Sequence, residues 1–140
     1  MQITDAIYKR RAVRSFQTAP VSEDLLMKLL NAAVQAPSAM NLQPWAFVIL
    51  EGKDLLLEYS ERAKRFLLGS MNPESPLHQY RDALADREFS IFYDAGMLVV
   101  FCARTSDPSA AEGCCLAAEN FLLAALDFGL GTCRIGFARP

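Results

Sequence analysis

The spacing of apolar residues along the chain changes between two patterns, and each pattern predicts one kind of element. Helical spacing predicts four helices: Thr4–Arg10, a helix that Ser22 caps and Pro37 closes, Lys53–Leu68, and Ala110–Phe128. Short runs rich in apolar residues predict strands at Trp45–Leu50, Met97–Ala103 and Thr132–Phe137. Because helices outnumber and separate the strands, we expect an α+β or α/β fold with a small sheet covered by helices.

Several of these elements carry a further expectation about burial. The continuous apolar run Trp45–Leu50 predicts a strand buried on both faces. The helix Lys53–Leu68 has its apolar period at Leu56, Tyr59, Ala63 and Phe66. The helix Ala110–Phe128 carries few charges, which places it in a core or in an oligomer interface and predicts a homodimer.

The remaining segments are turns and one polar stretch. Residues Gly69–Ser75 form a turn-rich break, and Leu77–Ser90 is polar enough for a mobile helix or a lid. Gly129 follows the last helix, where a glycine C-cap is favoured.

Composition narrows the class of protein. The length of 140 residues predicts a single domain over residues 1–140, and a hydrophobic content of 52% is ample for a core. The net charge of −2 and a pI near 5.4 argue against nucleic-acid binding. No apolar run reaches the roughly 18 residues of a membrane span, and no signal peptide is evident. We therefore expect a soluble cytoplasmic protein with no membrane partner.

The residues suited to metal or nucleophilic chemistry are few. The four cysteines lack C-x-x-C spacing and His78 is the only histidine, so no metal site is predicted. Cys102 and Cys115 lie in apolar patterns and are expected to be buried free thiols. A Rossmann site is not supported, because no strand precedes Gly129-Leu130-Gly131. Neither a G-x-S-x-G elbow nor a Walker A motif is present.

Four cations fall between Lys9 and Arg14, in a chain that is close to neutral overall. Arginine presents fixed donors that match phosphate oxygens, so the segment is a candidate anion site. A solvated helix end is the alternative, since cations favour the helix C-terminus. Val13 and Phe16 alternate with the arginines and indicate a half-buried edge, which favours a site.

The loop Ala36–Trp45 joins a predicted helix to a predicted strand. Asn41 and Gln43 carry amides that both donate and accept, as the edge of a flat, hydrogen-bonding ring requires. An ordinary connecting loop explains the same residues. Trp45 is expected in the core rather than stacked on a ligand. The turn Gly129–Cys133 is interpreted either as a close approach of backbone to a ligand or as a plain helix cap.

Four segments together resemble the nitroreductase family of FMN-dependent oxidoreductases, over nearly the whole chain. They are Lys9–Phe16, Ala36–Trp45 with its A-P-S-x-x-N-x-Q-P-W pattern, Tyr93–Gly96, and 116–133. The resemblance implies a dimeric α+β fold, with a small, mostly antiparallel central sheet flanked by helices and FMN at the subunit interface. It also implies hydride transfer from NAD(P)H to a nitroaromatic, quinone or related small acceptor.

The resemblance also implies roles for individual residues. Arg10, with Arg11, would meet the FMN phosphate. Arg14 would lie near the pyrimidine edge or the ribityl chain and have the catalytic role, because a cation there stabilises the reduced ring. Ala12 is a further cofactor position, where the family has serine; the lost hydroxyl weakens binding by ~1.5–3 kcal/mol. The other cofactor-binding residues would be Pro37, Ser38, Ala39 and Asn41 of the partner subunit, and the backbone of Gly131 and Thr132.

The expected mechanism needs no acid or base from the protein. Hydride transfer depends on positioning and electrostatics, so we expect ping-pong kinetics with both substrates using one pocket in turn. The family continues for several tens of residues beyond the position of Pro140, so the resemblance implies a C-terminally truncated chain. A catalytically silent flavin-binding or interaction protein left by that truncation is the alternative function.

Overall fold

The computed structural model describes residues 1–17 and 19–137 and shows an α+β fold. The α-helices are α1 (Ile3–Lys9), α2 (Glu23–Ala33), α3 (Lys53–Ser70), α4 (Arg81–Ala85) and α5 (Pro108–Asp127). Short 3-10 helices occupy Ala39–Asn41 and Pro76–Tyr80. The strands are β1 (Trp45–Glu51) and β2 (Met97–Ala103).

The two strands pair with each other and run antiparallel. At one end the Arg104 N–H donates to the carbonyl of Pro44 at 2.7 Å. At the other end the Gly52 N–H donates to the carbonyl of Gly96 at 3.1 Å. The start of β1 therefore lies beside the end of β2, which resolves the choice between α+β and α/β in favour of α+β.

The prediction of a strand at Thr132–Phe137 is wrong. In the described part of this segment, Thr132 makes one isolated parallel bridge, to Ala12, and the chain then bends at Gly136. Glycines at 131 and 136 flank the short run, and glycine weakens a strand because it has no side chain to pack.

Two further expectations differ from the structure. β1 is not buried on both faces, since Val48 is 46% exposed; among the described residues the sheet has only two strands, which leaves part of its surface uncovered. The second helix ends at Ala33 rather than at Pro37. Residues 34–36 form tighter turns instead, in which Gln35 and Ala36 donate to carbonyls three residues back.

Side-chain caps begin two of the α-helices. The Ser22 hydroxyl accepts from the Leu25 N–H at 3.4 Å, as predicted. Asp107 caps α5 by accepting from the Ser109 hydroxyl and from its N–H at 2.8 Å. These bonds hold the pKa of Asp107 below its ordinary value of 3.8. The cap therefore stabilises the folded state fully above pH 3.8, and this stabilisation is lost as the pH falls through the folded-state pKa.

The chain divides into two compact units, and the first comprises residues 1–13, 20–49 and 99–133. Its centre is α5, which packs against α1 and α2. The Asn120 side chain on α5 donates to the Ala32 carbonyl of α2 at 3.3 Å. The ring of Phe101 meets Phe47 and Phe121 edge to face, at 5.1 and 5.7 Å between centroids.

Within the described residues, only one face of α5 is buried. Its buried residues are Ala110, Gly113, Cys114, Ala117, Phe121 and Ala125. The opposite face exposes 47% of Leu116. Among the described residues, α5 alone is long and apolar enough to cross a bilayer by length and composition, a test that core helices also pass.

The expectation of buried thiols is wrong for Cys115 and is met only partly by Cys102. The four cysteines, which all lie in the described residues, form no disulfide. Cys114 is buried, whereas Cys115 is exposed and Cys102 is half-buried. The reason is helical geometry: one residue further along α5 turns the side chain by about 100°, away from the buried face.

The second unit comprises the described residues within 14–19, together with 50–98 and 134–137. Its core cluster consists of Leu56, Leu67, Leu84, Ile91 and Phe92. The chain between the strands thus forms a core of its own around α3.

A buried lysine ties one segment of this unit to α3. Lys64 is 3% exposed, and its Nζ donates to the carbonyls of Asp86 at 2.8 Å and Phe89 at 2.7 Å. It also forms an ion pair with Glu61 at 2.5 Å. We call these three contacts the Lys64 clamp. The segment 77–90 contains most of one short 3-10 helix and the short helix α4. Its last residues are bound to α3 through the hydrogen bonds from Lys64, so this part is not a free lid.

Candidate functional site

The cationic segment leaves α1 at Arg10. The Arg10 N–H still donates to the Ala6 carbonyl at 2.9 Å, but its ψ of 131° takes the chain out of the helix. Nη1 of Arg11 folds back and donates to the carbonyls of Tyr8 at 2.8 Å and Arg10 at 2.7 Å. Nη1 of Arg11 thus caps the C-terminal end of α1. The Nε and Nη2 groups of Arg11 remain as donors that can bind an anion.

The end of α5 brings a second segment to these cations. Gly129 has a φ of 74°, and the N–H groups of Gly129 and Leu130 donate to Leu126 and Ala125 at 2.9 and 2.8 Å. This is a Schellman motif, so the predicted glycine cap is confirmed.

Immediately after this motif the chain pairs with the cationic segment. The carbonyl of Thr132 accepts from the Val13 N–H at 2.9 Å, next to the bridge between Ala12 and Thr132. We call this pairing of residues 12–13 with 131–132 the clasp. It brings together the candidate residues Arg10, Arg11, Ala12, Gly131 and Thr132, which the sequence places at distant positions.

The loop with the candidate residues Pro37, Ser38, Ala39 and Asn41 is exposed and tightly turned. The Ser38 hydroxyl accepts from the Gln43 N–H at 2.9 Å, and the Ser38 carbonyl accepts from the Asn41 N–H at 3.0 Å. Met40, Asn41 and Gln43 have φ values of 49°, 56° and 47°. Left-handed residues other than glycine are uncommon, and such strain often marks ligand sites.

Both ends of this loop are anchored in the first unit. Ala36 is 7% exposed and Trp45 is 8% exposed, so the prediction of a core tryptophan is confirmed. On α5, a Cβ added to Gly113 would lie 3.3 Å from Cγ of Pro44, which shows how closely the loop packs there. The loop is therefore held near the start of α5, whereas the clasp follows its end.

The geometry of α5 separates these two groups of candidate residues within one chain. The helix rises roughly 20 Å between Gly113 and Asp127. One chain thus joins the cationic segment to Gly131 and Thr132 but anchors the loop with Asn41 at the opposite end of α5.

Arg14 belongs to the second unit, and its guanidinium lies over the ring of Tyr93, 5.7 Å from the ring centroid. Tyr93 and Asp94 both have left-handed φ values, 55° and 56°. A cleft of about 260 Å³ is lined by Arg14, Ser15, Phe16, Phe89, Ser90, Tyr93 and Asp94. Sequence reasoning did not identify Tyr93 as the partner of Arg14, because nothing in the local pattern links the two positions.

The cysteines and the histidine offer little reactivity. Burial raises the pKa of the Cys114 thiol, with smaller contributions from Cys115 and Cys102, so Cys114 stays protonated at neutral pH. His78 is exposed on the 3-10 helix Pro76–Tyr80. The described part of the chain contains no group of three or more side chains arranged to hold a metal ion.

The donors in the first unit are of two kinds, one suited to a phosphate and the other to a flat polar ring, and they lie at opposite ends of α5. The clasp pairs the backbone that follows Arg10 and Arg11 with Thr132, next to Gly131, which has no side chain. The loop exposes the amide of Asn41 on a preformed backbone. Cations suit the phosphate, and exposed amides suit a ring edge that alternates donors and acceptors.

Comparisons with known proteins agree with this geometry. The chain matches the Nitroreductase family over residues 7–139. It is 31% identical to an NADH dehydrogenase/NAD(P)H nitroreductase assigned in Archaeoglobus fulgidus, covering 93% of this chain and 64% of that relative. It is 31% identical to the iodotyrosine deiodinase of Thermotoga neapolitana, covering 91% of this chain and 70% of that protein.

A solved structure shows the same fold. The nitroreductase with bound FMN from Bacteroides fragilis has a TM-score of 0.85 and 26% identity, over 98% of this chain and 71% of that one. The family match covers most of the chain, and the fold match extends over nearly all of it. The chain belongs to the nitroreductase family.

Proposed function

We propose that this protein is an FMN-dependent oxidoreductase of the cytoplasm, with residues 1–140 forming one nitroreductase-like domain. The observation that carries the proposal is the clasp, which holds the cationic segment against Gly131 and Thr132. The Bacteroides relative that shares this fold was solved with FMN bound. The proposed reaction takes a hydride from NAD(P)H and reduces a nitroaromatic, quinone or related small acceptor.

The clasp supplies the proposed phosphate site. Arg10 is half-buried, and within the described residues its side chain makes no hydrogen bond or ion pair, so its guanidinium is available to a phosphate. Arg11 adds its Nε and Nη2. The peptide groups of Gly131 and Thr132 supply backbone contacts near the ring, and Ala12, which follows the two cations, forms the bridge to Thr132.

Arg14 has the proposed catalytic role. Bound FMN would supply the hydride-carrying ring, which would gain negative charge on reduction. A cation near the pyrimidine edge stabilises that charge, and stacking on Tyr93 fixes the direction of the Arg14 guanidinium. The acceptor pocket is proposed to include part of residues 69–90, the segment least constrained by motifs.

Catalysis then requires no titrating side chain from the protein. His78 is exposed and Cys114 stays protonated. The protein would therefore act by positioning the reactants and by electrostatic stabilisation. We therefore infer ping-pong kinetics, with NAD(P)H and the acceptor using the same pocket in turn.

The purified protein is expected to bind FMN at micromolar concentration and to oxidise NAD(P)H in the presence of a quinone or nitroaromatic. Flavin absorption after heat release measures the cofactor. Initial rates at several fixed acceptor concentrations should give parallel double-reciprocal lines. A protein that fails to bind FMN contradicts the proposed function. One that binds FMN but never oxidises NAD(P)H is a flavin-binding protein, and intersecting lines refute the ping-pong order.

We further propose a homodimer in which each FMN is shared between two copies. Within one chain, the loop with Asn41 and the cationic segment are anchored at opposite ends of α5. A second copy that supplies its loop would complete the ligand set around each clasp. The exposed apolar side chains of Ile3, Ile7, Leu42 and Leu116, 47–71% exposed, provide surface that a partner can cover.

Mixing two variants tests the shared site. Arg10→Ala removes a cation of the proposed phosphate site, and Asn41→Ala damages the loop, since alanine tolerates a left-handed backbone less well than asparagine does. In a hybrid dimer, one site receives the intact Arg10 of one copy and the intact Asn41 of the other. We expect the hybrid to recover up to about half of the wild-type turnover, while each parent variant stays low.

Two outcomes would contradict the shared site. If the residues of one chain form the whole site, every site in the hybrid keeps one defect and turnover does not recover. Sedimentation of the wild-type protein at micromolar concentration gives the second check, because a monomer that retains FMN refutes the interface site.

A further inference from the structure

Gly131 packs against Val13 too closely to accept any side chain. A Cβ added at Gly131 would lie 2.9 Å from Cγ1 of Val13 and 3.0 Å from its Cβ and Cγ2. Real Cβ atoms essentially never approach another heavy atom below 3.0 Å. Gly129, by contrast, has open space around it and a left-handed φ of 74°. Packing, rather than backbone conformation, therefore requires the glycine at 131.

This contact lies at the clasp. The described residues pair there through one isolated bridge and one hydrogen bond of 2.9 Å. So short a pairing fixes its register only weakly, because the register of paired strands is set by packed side chains and turn geometry. Val13 is half-buried and β-branched, so its rotamer is stiff and it gives the glycine a rigid surface.

The direction of the cationic segment depends on this register. Arg10 and Arg11 lie three and two residues before Val13 and have no other strand pairing among the described residues. A displacement of Val13 by a new methyl group at 131 moves the whole segment away from Thr132. The peptide groups of residues 131–132 and the guanidinium groups would then no longer face one ligand.

We propose that Val13 and Gly131 form a positioning contact for phosphate binding, in which Val13 seated against the bare backbone of Gly131 sets the placement of Arg10 and Arg11. This inference rests on the proposed FMN site and adds Val13, a residue that would not touch the ligand. The contact would act on phosphate recognition, because it positions the guanidinium groups of Arg10 and Arg11. It would have no effect on hydride transfer itself.

Gly131→Ala tests the contact, with Gly136→Ala as the matched control because a Cβ at Gly136 meets nothing within 4 Å. We expect Gly131→Ala to weaken FMN binding by tenfold or more and to flatten the dependence of its Kd on salt, since displaced cations no longer pair with the phosphate. Gly136→Ala should bind FMN as the wild type does. The double variant V13A/G131A removes two of the three clashing atoms and should regain part of both properties.

A measurement without FMN examines the contact directly. The Val13 N–H is bonded to Thr132, so its hydrogen exchange reports the pairing. We expect exchange at Val13 to accelerate at least tenfold in Gly131→Ala, and to slow again in the double variant. Wild-type exchange in Gly131→Ala would refute the contact.

The outcomes separate this inference from the proposed function. If the wild type and Gly136→Ala bind FMN, the cofactor site stands, and unchanged affinity and salt dependence in Gly131→Ala overturn only the positioning role. Weakened affinity with unchanged salt dependence overturns it as well, because that pattern marks general destabilisation. If the wild type does not bind FMN, the proposed function fails and the phosphate role fails with it, even where hydrogen exchange confirms the contact.

Discussion

Replacing Lys64 by Met is expected to lower the free energy of unfolding by about 2–3 kcal/mol, since Lys64 is buried but the Glu61 side chain is 38% exposed. The change leaves the Glu61 carboxylate without its cation and the carbonyls of Asp86 and Phe89 without their donor, in a position only 3% exposed. Breaking one side of a buried ion pair is costly because the remaining charge and polar groups lose their compensation. Urea unfolding followed by circular dichroism measures the loss.

Lys53→Met is the matched control, since Lys53 lies on the same helix and is exposed. It should change the free energy of unfolding by no more than about 0.5 kcal/mol. Glu61→Gln should cost less than Lys64→Met, because Lys64 keeps its two carbonyl acceptors. A loss below about 1 kcal/mol for Lys64→Met would show that the clamp contributes little.

Arg10→Ala and Arg14→Ala are expected to have different effects on the flavin. Loss of charge-assisted bonds to phosphate costs about 1.5–3 kcal/mol, so Arg10→Ala should weaken FMN binding by about tenfold to a hundredfold. Arg14→Ala should leave affinity within a few fold but slow reduction of bound FMN by NAD(P)H, since the ring loses its nearby cation. FMN titration and stopped-flow absorption separate the two effects.

The exposed Arg65 provides the control for charge alone. Arg65→Ala removes the same charge from the chain without touching the clasp or Tyr93, and neither affinity nor reduction rate should change. Unchanged FMN affinity in Arg10→Ala rejects the phosphate role. A reduction rate unaffected by Arg14→Ala rejects its catalytic role.

Local signals in the sequence predicted the caps and the strand positions. Ser22 and Gly129 act through bonds within a few residues, so their neighbours in the sequence were enough to identify them. The run Met97–Ala103 forms a strand with the predicted bounds. The third strand failed because pairing over 132–137 needs a partner that the local pattern cannot reveal.

The buried face of α3 shows a subtler limit. The apolar period predicted Tyr59, Ala63 and Phe66 on the inner face, yet Phe66 is 62% exposed. The buried positions of this helix are Leu56, Ser60, Lys64 and Leu67. Ser60 accepts from the Ile91 N–H at 3.0 Å, and Lys64 binds carbonyls of the same segment. Buried polar residues whose partners lie some thirty residues away cannot be found by hydrophobic spacing.

The candidate site residues, like the caps, were chosen from short local motifs. The resemblance named Arg10, Asn41 and Gly131 because their local motifs are short and ordered. The tight fit between Val13 and Gly131 was not predictable, since it joins segments that the sequence separates by most of the chain. Proposed contacts of the individual candidate residues with FMN remain predictions.

The clasp also has a consequence for the order of folding. It pairs residues 12–13 with 131–132, so it closes a loop that includes most of the chain, and such closure costs more entropy than any local turn. The helices need no such closure, and the pairing of β1 with β2 closes a shorter loop, so we expect both to form first and the clasp to form after the transition state. Interactions formed that late govern the rate of unfolding rather than that of folding. A ligand that binds across the clasp would therefore prolong the lifetime of the native state without hastening its formation.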